Sequence, residues 1–235
     1  MTSPESDVLL ADSVGMRFGA RKILTSATLR ARAGEVRVLF GRNGIGKSTL
    51  LRIAAGLTSP DTGVVHFLGR PRLRTSLASL AREGLFWLPD HDLFSHAFSL
   101  RTQLGFFRSQ FAGQEVEEAA ALCGITSLLD QHPSALSGGE LRRAELAAVF
   151  VRAPVCLLAD EPLRGGSPAD AEGIGQLFRT LANRGAAVVV SGHEVSLLSL
   201  MADQVTWCTA GTTYELGIPA DAAQHERFRA EYLGT

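Results

Sequence analysis

A single glycine-rich turn constrains this chain more than anything else in it. Gly41-Arg42-Asn43-Gly44-Ile45-Gly46-Lys47-Ser48 follows a short apolar run, Val36 to Phe40, and precedes a helical pattern from Leu50 to Leu57. A G-x-x-x-x-G-K-[ST] turn between a buried strand and a helix is the signature of a phosphate-binding loop. The glycines let backbone N–H groups converge on an anion with no β-carbon in the way. The N-terminus of the following helix adds a positive partial charge. Lys47 is placed to reach the β- and γ-phosphates of a nucleotide, and Ser48 to ligate Mg²⁺. Of the 23 basic residues only Lys22 and Lys47 are lysines, so one of two stands where this chemistry calls for it.

Composition bounds the rest. The chain has 235 residues, 46% apolar and 20% charged, which suffices for a substantial core and excludes a disordered tail protein. Its 23 basic and 24 acidic residues leave a net charge of −1, against a nucleic-acid partner, whose affinity usually rests on a basic field. No apolar run approaches the roughly 20 residues that cross a bilayer. The start, MTSPESDVLL, lacks the basic and apolar regions of a secretory signal, so a soluble cytosolic chain is expected. Cys123, Cys156 and Cys208 are isolated from one another and read as reduced, buried thiols.

Strand and helix patterns alternate along the sequence. Val8 to Ala11, Thr28 to Ala33, Val36 to Phe40, Val64 to Leu68 and Gly84 to Leu88 read as strands. Between Asp90 and Leu136 the texture is helical, and half of the twelve phenylalanines fall between Phe86 and Phe111. Ser137 opens a helix to about Arg152, and Ala171 to Asn183 and Val195 to Ala202 read as two more. Val155 to Ala159 and Ala186 to Val190 are continuous apolar runs of the buried parallel kind. The alternation implies an α/β core with a parallel sheet, interrupted by the helical stretch.

Three further groups carry chemistry. Asp160-Glu161-Pro162 ends an apolar strand, where ligands bind in parallel sheets. There Asp160 would hold Mg²⁺ and Glu161 would polarise a water. Ser137-Gly138-Gly139-Glu140 has the spacing of a capping box, yet two glycines in a first helical turn weaken the helix. An exposed, glycine-lined helix start able to hold phosphate accounts for them. His193 follows the second apolar strand, at the same end of the sheet as Asp160.

Together these residues resemble the nucleotide-binding domain of ABC ATPases, over nearly the whole chain. Gly41 to Thr49 (Gly41, Arg42, Asn43, Gly44, Ile45, Gly46, Lys47, Ser48 and Thr49) looks like Walker A, and Leu136 to Glu140 matches the LSGGE signature. Cys156 to Pro162 looks like Walker B, Glu161 like its catalytic glutamate, His193 like the switch histidine, and Phe18 like the aromatic that stacks on adenine. The resemblance implies an α/β fold: a P-loop NTPase core with a mostly parallel sheet, an N-terminal antiparallel β subdomain and an inserted α-helical subdomain. Residues 1–235 would form one such domain and 90–136 the insertion. It also implies ATP and Mg²⁺ as cofactors and a second nucleotide-binding domain, paired head to tail. Ser137 and Gly139 would then donate to the γ-phosphate held by the opposite subunit, while Lys47, Glu161 and His193 act on it.

Two positions depart from the family pattern. Asp90, in Leu88-Pro89-Asp90-His91, stands where a glutamine is usual; a carboxylate can ligate Mg²⁺ but brings negative charge near phosphates. Ser167 stands near the place of the usual aspartate after Arg164-Gly165-Gly166. The leading expectation is the ATPase subunit of an ABC transporter, driving a separate transmembrane permease from the cytoplasmic face of the membrane. A soluble ATPase of the iron–sulfur assembly type and a weakly hydrolysing half of a heterodimer are the alternatives. The phenylalanines from Phe86 to Phe111 read either as a groove for the permease or as the core of a helical subdomain.

Overall fold

Strands that alternate between two separate cores set the architecture. The computed structural model describes residues 7–73, 76–91, 93–164, 167–194 and 201–232. Strands β1 (Leu9–Phe18) and β2 (Arg21–Ala31) form an antiparallel hairpin, and β3 (Val36–Phe40) leads into helix α1 (Lys47–Ala54). A second hairpin, β4 (Thr62–Phe67) and β5 (Arg70–Arg72), precedes α2 (Leu77–Arg82) and β6 (Leu85–Leu88). Then come α3 (Leu100–Gln110), α4 (Val116–Leu122), α5 (Gly138–Arg152), β7 (Cys156–Ala159), α6 (Pro168–Asn183) and β8 (Ala187–Gly192). A hairpin of β9 (Gln204–Thr209) and β10 (Thr212–Gly217), a short helix at Pro219–Ala222 and a helix at Glu226–Tyr232 complete the described chain.

The sheet order is β5-β4-β1-β2-β10-β9-β3-β8-β7-β6. The block β9-β3-β8-β7-β6 is parallel, whereas β5, β4, β1 and β2 pair antiparallel, so the mostly parallel core and antiparallel N-terminal layer are both present. Side chains on a strand alternate between faces. Val36, Val38 and Phe40 of β3, Leu157 and Ala159 of β7, and Val188 and Val190 of β8 enter one core with α5 and α6. Leu39, Cys156, Leu158, Ala187 and Val189 enter the other, with α1 and the antiparallel strands. Burial on both faces is why these strands read as continuous apolar runs.

Several bounds differ from the sequence reading. β1 runs on from Ala11 to Phe18, because register shifts at Val14 and Met16 break the alternation that would mark it. β2 begins at Arg21 and stops at Ala31 rather than Ala33. Leu50 to Leu57 proves to be α1, starting at Lys47 and ending at Ala54. The helix expected over Val195 to Ala202 falls mainly outside the described residues. The β9–β10 hairpin was not foreseen; its two-residue turn is Ala210 and Gly211, both left-handed, with φ of 49° and 76°.

Between β6 and α5 the chain forms α3 and α4, packed on α5, with no strand among the described residues there. Its phenylalanines divide. Phe86 and Phe94 are core, Phe111 lies under the Arg152 guanidinium at 3.8 Å, and Phe98 and Phe106 are 55% and 66% exposed. The three cysteines are free and buried, and burial pushes the Cys123 and Cys156 thiols up to about 12. Among the described residues no helix is long and apolar enough to cross a membrane.

Between α3 and α4 the chain grazes the end of α5 at Gly113, where a Cβ would lie 2.0 Å from the Val151 carbonyl oxygen. Gly113→Ala should therefore lower unfolding stability by about 1–3 kcal/mol in urea denaturation. An unchanged midpoint would show that this connection is free to shift.

Candidate active site

The phosphate loop takes its shape from positions where only glycine fits. At Gly41 a Cβ would meet the Cys208 carbonyl oxygen at 2.7 Å; Gly44 and Gly46 adopt φ of 76° and 120°. L side chains avoid both of those backbone angles. Ile45 N donates to Arg42 O (3.3 Å), closing the turn, and Leu50 N donates to Gly46 O (2.9 Å), opening α1. The start of α1 has no side-chain cap and no acidic residue in its first turn, so its N–H groups remain available to an anion.

Lys47 is buried, and its ammonium is held inside the loop. Nζ donates to Gly41 O (2.8 Å) and Arg42 O (3.2 Å) and lies 3.1 Å from Glu161 Oε1. Ser48 Oγ donates to Asp160 Oδ1 at 3.1 Å. Thr49 continues the helix, and Asn43 lies exposed at the tip of the loop. Arg42 is turned outward and pairs with Glu231 of the last helix (3.1 Å).

The ends of β7 and β8 face this loop. Burial raises the Asp160 carboxyl above its ordinary range, against hydrogen bonds from Ser191 and Ser48; the charges of Asp90 and Glu161 push the same way as burial. Glu161 occupies a left-handed conformation, φ 44°, which costs an L residue about 1–2 kcal/mol. Its backbone N–H donates to Ser191 Oγ (3.0 Å), and that hydroxyl donates to Asp160 Oδ1 (2.7 Å). Ser191 thus holds both acidic residues, yet sequence reasoning missed it. A polar residue closing an apolar strand beside Gly192 and His193 was the available signal. His193 Nδ1 lies 3.2 Å from Glu161 Oε2; this buried nitrogen makes no aligned hydrogen bond among the described residues.

Lys47, Ser48, Asp160, Glu161 and His193 therefore meet at one place, as expected. Ser48 and Asp160 supply a hydroxyl and a carboxylate, hard oxygen donors of the kind Mg²⁺ accepts beside substrate phosphates and waters. Asp90 is within electrostatic reach of Asp160, with its own oxygens 3.4 Å from His91 Nε2 and 3.8 Å from Arg164 Nη1. Among the described residues no three His, Cys, Asp or Glu side chains form a ready-made metal cluster.

The other predicted residues have partners of their own. Ser137 and Glu140 form a full capping box: Glu140 N donates to Ser137 Oγ (3.3 Å) and Ser137 N to Glu140 Oε2 (2.8 Å). The Ser137 hydroxyl and backbone N–H hold the Glu140 carboxyl below the usual range. Gly139 has an internal reason to be glycine, since a Cβ there would lie 2.5 Å from Asp170 Oδ1. Gly138 has none, because the space around it is open. Ser167 caps α6 reciprocally with Asp170, so it has a structural task of its own. Phe18 ends β1, 55% exposed at the hairpin turn.

Comparison with known proteins identifies the family. The ABC transporter family profile matches residues 24–164, more than half of the chain. The chain is 32% identical to the hemin import ATP-binding protein HmuV of Rhodococcus jostii, over 95% of this chain and 79% of that protein. It is 29% identical to the Nod factor export ATP-binding protein I of Rhizobium etli, over 88% of this chain and 67% of that one. The fold superposes with a TM-score of 0.85 on MJ1267, an ATP-binding cassette of an ABC transporter in its ADP conformation, at 19% identity, covering 98% of this chain and 100% of that one. The chain belongs to the ABC transporter family, as an ATP-binding ATPase subunit.

Proposed function

We propose that this subunit hydrolyses Mg²⁺-ATP between two nucleotide-binding domains arranged head to tail, and so drives a separate transmembrane permease from the cytoplasmic face. The observation that carries the reading is the split between two half-sites. Lys47, Ser48, Asp160, Glu161 and His193 converge at the phosphate loop. The Ser137–Glu140 turn shares no hydrogen bond or ion pair with that cluster among the described residues, and with Gly138 in open space it would cover a partner's nucleotide. A second copy of this chain or a related domain would supply the missing half to each.

The chemistry follows from the contacts. Phosphates entering the loop would take over Lys47 from Gly41 O, Arg42 O and Glu161, and the uncapped start of α1 would add its N–H groups. Glu161, released from Lys47, would orient the attacking water, and His193 would steady the transferred phosphoryl group. Ser48 and Asp160, with Asp90 beside them, would hold Mg²⁺, which neutralises charge on the β- and γ-phosphates when bound. Phe18 would stack on adenine. Catalysis is then mainly positioning plus electrostatic stabilisation. Similarity to both a hemin import and a Nod factor export protein suits a motor whose cargo is chosen by the membrane subunit.

Glu161→Gln should cut steady-state ATP hydrolysis at least about 100-fold while nucleotide still binds, and chelating Mg²⁺ should abolish the wild-type rate. Undiminished turnover in the variant would remove Glu161 from its role. Ser137→Asp keeps a capping side chain but adds a negative charge to the helix start. Its unfolding transition should stay near wild type while hydrolysis is lost; retained hydrolysis would argue against phosphate recognition there. Phe98→Ser and Phe106→Ser should release the permease from solubilised membranes and leave basal ATPase intact. Continued co-purification would return both side chains to ordinary surface.

A further inference from the structure

The buried ion pair inside α5 has no part in the scheme above, yet it reaches out of its own helix. Arg142 and Glu145 are 8% and 2% exposed, and Arg142 Nη1 lies 2.8 Å from Glu145 Oε2. The same guanidinium donates to two consecutive main-chain carbonyls just beyond β6: Nη1 to Pro89 O (2.9 Å) and Nη2 to Asp90 O (2.8 Å). One residue earlier, Leu88 O accepts from Asp160 N (2.9 Å). Three successive carbonyls are thus fixed in turn, the first to the end of β7 and the next two to α5. Proline at 89 has no N–H, so the sheet ladder cannot continue there, and the guanidinium takes over where it stops.

We infer that Arg142 is a positioning residue: it pins the main chain of Pro89 and Asp90 just beyond β6, and joins that segment to the helix whose N-terminus carries Ser137, Gly138 and Gly139. The inference rests on the reading of Asp90 as a metal-facing side chain for its catalytic consequence, but not for the latch itself. Planar fork geometry suits arginine to two adjacent acceptors, and an ammonium on a flexible stem does not reproduce it. A carboxylate and two main-chain carbonyls around the buried guanidinium explain how a charge is tolerated at that depth. An ion pair serving only the helix would need no bond to Pro89 or Asp90.

The test separates the latch from its consequence. Arg142→Met combined with Glu145→Leu replaces the buried pair by apolar groups of similar volume, an exchange that protein interiors often tolerate. Hydrogen exchange on the nucleotide-free, full-length protein should then speed up about tenfold or more in the peptide following β6, with β7 and α1 unchanged. Arg142→Lys should loosen the same peptide. Exchange that is unchanged there, or that rises along α5 instead, overturns the inference. In the kinetic arm, the paired replacement should raise the Mg²⁺ concentration for half-maximal hydrolysis several-fold with Asp90 present, and add little in an Asp90→Asn background. Equal shifts in both backgrounds would break the link to Asp90. If Asp90→Asn alone leaves the Mg²⁺ requirement unchanged, the metal-facing reading of Asp90 falls, and the exchange result still decides on Arg142.

Discussion

Everything at the catalytic end of the sheet is arranged around one buried ammonium. A charge removed from water is costly unless its neighbours replace the lost hydration. Lys47 finds two carbonyls of its own loop and the carboxylate of Glu161. Those partners hold the loop in the shape that receives phosphate, and they hold Glu161 close enough for His193 to sit beside it. Because the ammonium is already compensated, an incoming polyanion exchanges one set of partners for another. The left-handed backbone at Glu161 belongs to the same arrangement, since strain of this kind persists only where surrounding contacts over-determine it.

The resting site and the glycine-lined helix start differ in how far their own chain satisfies them. Around Lys47, Asp160 and Ser191 the hydrogen bonds close on themselves. At Ser137 the cap is complete, and a Cβ at Gly138 would meet nothing within 4 Å among the described residues. The two adjacent glycines thus have different causes. Gly139 makes room for Asp170, while a Cβ at Gly138 would stand in open space.

Much of this was legible in the sequence because it depends on local order. Gly41 to Ser48 is contiguous, and Asp160, Glu161 and His193 each end an apolar run, so strand periodicity alone sends them to one edge. Contacts that join distant segments without a periodic mark were not legible. Ser191 bonds to Asp160 and Glu161 across neighbouring strands. Arg142 reads as one more arginine on a helix until Pro89 and Asp90 are seen in its fork. The β9–β10 hairpin was missed because its turn places an alanine, not the usual asparagine or aspartate, at a left-handed position.

The strand that delivers the phosphate loop is flanked entirely by partners that come later in the chain. β3 pairs with β8 and β9, and Phe40 at its end packs edge-on against Phe228 and Tyr232 at 5.5 and 4.9 Å. During synthesis the glycine-rich loop leaves the ribosome early with its own local hydrogen bonds, but the strands that seat β3 in the sheet follow much later. Contacts of such long sequence separation form late and slowly. The seat of the phosphate loop in the sheet is therefore completed only once β8, β9 and the helix at Glu226–Tyr232 have emerged.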